Sequence, residues 1–267
     1  MSVYSFLPEG WNNDITKIDI DNINKYIKEE TILQGIVKKC DSEYNLHINF
    51  ENGIEGIIPR EEVEGINLEE NGLPKTNLCT GKVHKFVQFT IKDKDLKNRL
   101  ILSRKNVQEE ALNSVKNDLK EGQKVSGIVK SIKPYGAFVE IGGGVVGLIH
   151  IEDLSVARIK SPFDRINIGQ KVEVVVKSIR RDTGRVILSY KEILGSWEEN
   201  VKQFSEGDEV KGKVRETEKN KNGIFIELTP NLVGMAEYQE GLKYGQEIKV
   251  YIKKIDKNKE KVKLIII

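Results

Sequence analysis

The sequence predicts an all-β chain with connecting helices: three tandem five-stranded barrels joined by short α-helices. Three observations carry this. A strand-opening block occurs three times, as "YIKEETILQGIV" at 26–37, "LKEGQKVSGIV" at 119–129 and "FSEGDEVKGKV" at 204–214. Later blocks recur in the same order behind each copy, as a tandem array requires. Between the copies the apolar spacing changes from alternation to a helical stripe.

Each opening block places one glycine inside a strand: Gly35, Gly127 and Gly212. A glycine there weakens a flat strand but suits a sharp bend at a barrel corner. The next block reads "GIEGIIP" at 53–59, "GVVGLIH" at 144–150 and "NLVGMAE" at 231–237. Then come "TGKVHKFVQFTI" at 80–91, "IGQKVEVVVKSI" at 168–179 and "YGQEIKVYIKKI" at 244–255, closed by "RLILSRK", "RVILSYK" and "KVKLIII". Each unit thus offers about five short strands with glycine-marked turns, the pattern of a small barrel or sandwich. The connectors carry the stripes Val107, Ala111, Leu112, Val115, Leu119 and Ile193, Leu194, Trp197, Val201, Phe204. On such a stripe Trp197 reads as a docking residue against a barrel rather than a stacking platform.

The expected organisation is an N-terminal segment and helix over 1–28 and a divergent unit one over 29–106. A linker helix over 107–120, unit two over 121–191 and a second linker helix over 192–205 follow. Unit three, 206–267, is shortened, because Glu237 to Gly245 replaces the longer stretch from His150 to Gly169.

Net charge is only +2, from 43 Lys+Arg against 41 Asp+Glu, which excludes a highly basic tail but not local patches. Residues 118–194 carry 13 Lys+Arg against 9 Asp+Glu, whereas 1–117 carry 16 against 19. The positive balance therefore sits in unit two. Cys40 and Cys79 lack CxxC or metal-type spacing and read as small buried hydrophobes of a reduced compartment. The start has no basic region followed by an apolar run, and no apolar run is long enough to span a bilayer. The expectation is a soluble, cytoplasmic chain.

Unit two reads "GIVKSIKPYGAFVEIGGGVVGLIHIEDLS", then "IGQKVEVVVKSI" and "GRVILS". This ordered motif resembles the S1 domain, the RNA-binding OB barrel named after the largest protein of the bacterial small ribosomal subunit. All three units look like this domain, and the whole chain resembles short three-domain bacterial relatives of Clostridium type. The resemblance implies three tandem OB-fold barrels and a face that binds single-stranded RNA.

It also implies which residues form that face. Two aromatics flanking the Gly-Ala pair correspond to Tyr135 and Phe138, a histidine opening the third strand to His150, and a hairpin arginine to Arg185. The family aspartate does not align cleanly, since "RRDTGR" puts arginine near its place, and Asp182 stands in from a shifted loop. Lys130, Lys133 and Arg181 are candidate phosphate contacts, with a solvated barrel surface as the plain alternative. Tyr135 and Phe138 also have a core-packing reading, and His150 one as a strand-end residue satisfying a backbone group.

Side chains three apart on a strand point to opposite faces. A bulge or sharp twist at Gly136 is the expected remedy, turning Tyr135 onto the face of Phe138. Ala137, Val139 and Ile141 would then face the core, and Tyr135, Phe138 and Glu140 outward. Unit one has Tyr44, Asn45 and His47 in place of Tyr135, Gly136 and Phe138, and Pro59 in place of His150. Unit three keeps Gly223 and Phe225 but has Asn222 and Glu237 for Tyr135 and His150.

"GGGVVG" at 142–147 spells a dinucleotide fingerprint, but a strand rather than a helix follows, so the glycines are assigned to a hairpin turn. No P-loop, nucleophile elbow or metal-ligand spacing occurs. The expectation is therefore a non-catalytic binder of single-stranded RNA with no cofactor and no metal. It would act in translation or ribosome-associated RNA metabolism, mainly through unit two with help from Phe225. The rival is a protein-interaction adaptor that docks to the ribosome, RNA polymerase or an RNA-decay complex, with RNA binding secondary; the small ribosomal subunit or another RNA-metabolism protein is the expected protein partner. Its motive is the acidic "PREEVEGINLEENGLP", read as a long exposed loop in unit one.

Overall fold

The first barrel consists of β1 (Leu33–Cys40), β2 (Leu46–Asn49), β3 (Glu55–Ile58), β4 (Phe86–Lys94) and β5 (Leu100–Ser103). The second has β6 (Lys124–Lys133), β7 (Gly136–Gly142), β8 (Val145–His150), β9 (Lys171–Arg180) and β10 (Arg185–Ser189). The third has β11 (Glu209–Glu216), β12 (Ile224–Thr229), β13 (Leu232–Ala236), β14 (Glu247–Asp256) and β15 (Lys261–Ile266). This computed structural model describes residues 4, 6–11, 14–50, 53–65, 68–96, 98–216 and 223–267. Asn222 lies outside the described residues.

All three sheets are closed barrels with one order, first-second-third-fifth-fourth, so the tandem repeat read from the sequence is a repeat of folds. The predicted bend glycine marks where the opening strand changes partner. In β6, Lys124–Ile128 pair with β9, and Ile128–Lys133 pair with β7. A Cβ on Gly127 would lie 2.4 Å from Val139 Cγ1, so only glycine lets the facing strand coil this closely.

Two register slips recur in every barrel. The opening strands bulge at Lys38, Lys130 and Arg215, and the fourth strands at Lys92, Lys177 and Lys253. A bulge sharpens local twist and re-aims the extra side chain, and at all six positions that side chain is a cation. Each barrel fills its interior with alternating aliphatics, such as Val139, Ile141, Ile149, Val174 and Leu188 in the second.

The helices are α1 (Ile23–Lys28), α2 (Arg60–Val63), α3 (Thr76–Thr80), α4 (Lys105–Asn117) and α5 (Trp197–Val201). On α4 the stripe Val107, Ala111 and Val115 is buried against the second barrel. The second connector is not one helix. A 3-10 turn over Lys191–Leu194 stops at Gly195, whose φ of +83° breaks the path, and a Ser196–Glu199 capping box restarts it as α5. Trp197 packs against the third barrel's core. Among the described residues no helix is long and apolar enough to cross a membrane.

The N-terminal segment does more than precede unit one. Tyr4 and Phe6 are buried in the second barrel's core cluster, against the α4 stripe. Three residues on, Glu9 meets Arg104 and Lys82, and its backbone N–H donates to Glu140 at 3.2 Å. Barrels two and three are joined differently. Glu227 accepts from both Arg165 and Arg215, at 2.5 Å each, while the Tyr244 hydroxyl donates to Asp164 and accepts from the Lys160 N–H, both at 2.8 Å.

Candidate nucleic-acid interface

Tyr135 sits in the turn between β6 and β7, and Phe138 on β7 itself. Their rings lie edge to face, with centroids 6.2 Å apart and planes at 85°. Tyr135 is 50% exposed and Phe138 half-buried, so the pair offers ring surface that a base can stack on.

The reason for the spacing of three differs from the expected bulge at Gly136. Gly136 is in register, opposite Lys133 and His150, and the slip lies across the ladder at Lys130 of β6. Tyr135 escapes strand alternation because it precedes the strand. Its carbonyl is fixed by the Ile151 N–H at 2.9 Å. Gly136 is required for a different reason: a Cβ there would stand 2.2 Å from the Ile149 carbonyl oxygen.

The registers define a row of outward residues across the sheet, Ser131, Phe138, Leu148, Ile187 and Ser178. His150, two residues after Leu148, and Arg185, two residues before Ile187, are both exposed on the same face and flank the row on opposite sides. Lys133, exposed, faces Gly136 next to Tyr135. Leu148 and Ile187 were not anticipated as part of this face. Period-two counting along "VGLIH" and "RVILS" holds that signal.

Three residues are placed otherwise than the sequence suggested. Glu140 does not face solvent: it is 3% exposed beneath the N-terminal segment, and the bulge cation Lys130 binds it at 2.5 Å. Lys130 therefore already has a carboxylate partner. The Arg181 guanidinium donates to the carbonyls of Lys116 at 2.5 Å and Leu119 at 3.1 Å, capping the C-terminal end of α4. Asp182 is exposed beside it in the β9–β10 turn.

The other barrels present weaker versions. Phe225 is 43% exposed at the register position of Phe138, opposite Met235. In the first barrel that position is His47, whose Nε2 lies 2.8 Å from Asp41 Oδ2. The acidic stretch of that unit is not a free loop either. Glu62 accepts from Lys92 and Ser103 at 2.6 Å, Arg60 pairs with Glu69, and Glu64 is buried against Arg104.

A model described as the S1 RNA binding domain matches residues 118–191. Small ribosomal subunit protein bS1 of Staphylococcus aureus (strain MRSA252) is 39% identical over 186 residues, covering 63% of this chain and 46% of that protein. The bS1 protein of Staphylococcus haemolyticus (strain JCSC1435) is 31% identical over 287 residues, covering 94% of this chain and 71% of that protein. The match thus spans about half the length of the first of these relatives. Among solved structures, GSP13 from Bacillus subtilis shares 25% identity over 30% of this chain and 61% of its own, with a TM-score of 0.29. With the repeated closed barrels and the motif of the middle unit, the domain match and the bS1 relatives show that the chain belongs to the ribosomal protein S1 family, built on the S1 RNA binding domain.

Proposed function

We propose that this protein binds single-stranded RNA without catalysis, in translation or ribosome-associated RNA metabolism. The second barrel is the principal site, and the small ribosomal subunit is the proposed assembly partner. The observation that carries the reading is the exposed Tyr135–Phe138 ring pair, flanked on one face by His150, Arg185 and Lys133. Stacking on such platforms is worth about 1–3 kcal/mol per base and tolerates most sequences. The cations add a term that weakens with salt. Duplex RNA fits poorly, because its bases are stacked on each other. Phe225 extends the platform to the third barrel, while the first barrel, with His47 tied to Asp41, serves spacing and protein contact.

The test is titration of labelled single-stranded RNA into the native chain and a Tyr135→Ala/Phe138→Ala variant. A loss of at least tenfold is expected from about 1–3 kcal/mol per base, with the circular dichroism unchanged. Equal affinities would refute the aromatic face.

A further inference from the structure

The first two barrels cover one part of their sheet with an acidic helical turn, and the third lacks it. In the first barrel, α2 follows β3. Glu62 there binds the bulge cation Lys92 at 2.6 Å and the Ser103 hydroxyl of β5 at 2.6 Å, and its carbonyl accepts from the Arg104 N–H at 3.0 Å. In the second, a 3-10 turn over Ile151–Asp153 follows β8. Asp153 binds the bulge cation Lys177 at 2.7 Å, and its carbonyl accepts from the Tyr190 N–H at 2.8 Å. Both turns read acid, acid, aliphatic: Glu61-Glu62-Val63 and Glu152-Asp153-Leu154, with Val63 and Leu154 at 0% exposure.

The registers identify the matching atoms in the third barrel. Lys253 is the bulge residue of β14, and Ile265 stands where β5 and β10 have Ser103 and Ser189. The connection after the third strand runs over 237–246 there, against 59–85 and 151–170 in the others, and contains no helical turn. Ser103 and Ser189 are 0% exposed beneath their turns, whereas Ile265 is 42% and Met235 43% exposed. What remains is an open groove of about 540 Å³, lined by Met235, Ala236, Tyr238, Lys253, Lys263 and Ile265 and rimmed by Glu237. Among the described residues neither lysine has a carboxylate within ion-pair distance.

We infer that this groove is a docking site for an acidic helical turn of a partner protein, of the pattern acid, acid, aliphatic. The charge argument is internal to the molecule, since the same bulge lysine meets a carboxylate in both other barrels. An aliphatic side chain from the partner covers Ile265, Met235 and Tyr238, which a serine-lined site would not require. The site lies apart from the Tyr135–Phe138 face of the second barrel, but Met235 pairs with Phe225, so it adjoins the RNA platform proposed for the third barrel.

The chain has two methionines, so ¹³C-methyl labelling gives one reporter in the groove, Met235, and one at Met1. The probe is a blocked synthetic peptide copying residues 149–155, "IHIEDLS", beside a control carrying Glu152→Gln and Asp153→Asn. The acidic peptide is expected to shift the Met235 methyl, the amide control to bind about fivefold more weakly, and Lys253→Glu in the full chain to weaken binding about tenfold, as for an exposed ion pair reversed to repulsion. An unmoved Met235 methyl, or equal binding by control and variant, overturns the proposal. So does an oligouridylate that shifts Met235 while the peptide fails to compete, which would assign the groove to RNA.

Discussion

The buried guanidinium of Arg104 donates to the carboxylate of Glu9, 95 positions earlier in the chain. Arg104 also donates to Glu64 at 2.9 Å, and Lys82 bridges Glu9 and Glu64 at 2.6 and 3.1 Å. Two cations and two carboxylates thus close a neutral cluster between the first barrel, the start of α4 and the N-terminal segment. Through the Glu9 N–H it reaches Glu140 and the bulge cation Lys130 of the second barrel.

Breaking a buried pair by removing one partner costs about 3–5 kcal/mol, because the other charge is left uncompensated. Arg104→Ala should therefore release the N-terminal segment and loosen the first two barrels. Trp11, whose ring lies under the Lys171 ammonium at 5.9 Å, reports the release by fluorescence in a Trp197→Phe background. An unchanged urea midpoint would show that the cluster does not hold the segment.

Acid should undo the same contact. Burial alone would raise the Glu9 carboxyl, but Arg104 and Lys82 outweigh it and hold the group well below its ordinary value of 4.5. A carboxyl depressed in the folded state contributes stability that is full above its unfolded value and is lost as pH falls below it. The Trp11 signal should thus be steady from neutral pH to about 5 and change below the unfolded value. Glu9→Gln should flatten that change.

Much of the fold was legible in the sequence because each unit repeats the same strand and glycine signals. Gly127 and its counterparts announced the partner switch, and Tyr135 and Phe138 announced the paired rings. The rest depends on contacts across long separations. Tyr4 and Phe6 look like an ordinary leader until the α4 stripe and the Gly142 hairpin are folded beside them. Glu140 obeys strand alternation and points out of its barrel, yet another segment buries it. The three-residue spacing arises because Tyr135 precedes β7 in a turn held by the Ile151 N–H, and Gly136 is demanded by the close approach of β8; neither is visible from "PYGAFVEI" alone.

Gly136→Ala tests that close approach. The added methyl meets backbone, the Ile149 carbonyl, rather than a side chain that can rotate away. Overpacking costs about 1–3 kcal/mol, and here relief requires moving β8, which carries His150. The variant should lose thermal stability and RNA affinity together, whereas Tyr135→Ala should lose affinity alone. A fully stable Gly136→Ala variant would contradict the geometry.

The junction of the second and third barrels makes the last prediction. Glu227 lies between the side chains of Arg165 and Arg215, which are 6% and 3% exposed. Glu227→Ala would leave two buried guanidiniums facing each other with Asp164, 3.7 Å from Arg215, as the remaining carboxylate. Their repulsion and lost pairing should outweigh the bonds from the Ala157 N–H to the Pro230 carbonyl and from the Val156 N–H to Asn231 Oδ1 that also cross this junction. The two barrels should then tumble with shorter, unequal ¹⁵N correlation times, while each keeps its own amide pattern. RNA that spans Phe138 and Phe225 should bind more weakly to this variant than to the native chain, and RNA short enough to occupy the second barrel alone should bind equally well. A single shared correlation time in the variant would show that the ion pairs are not what couples the barrels.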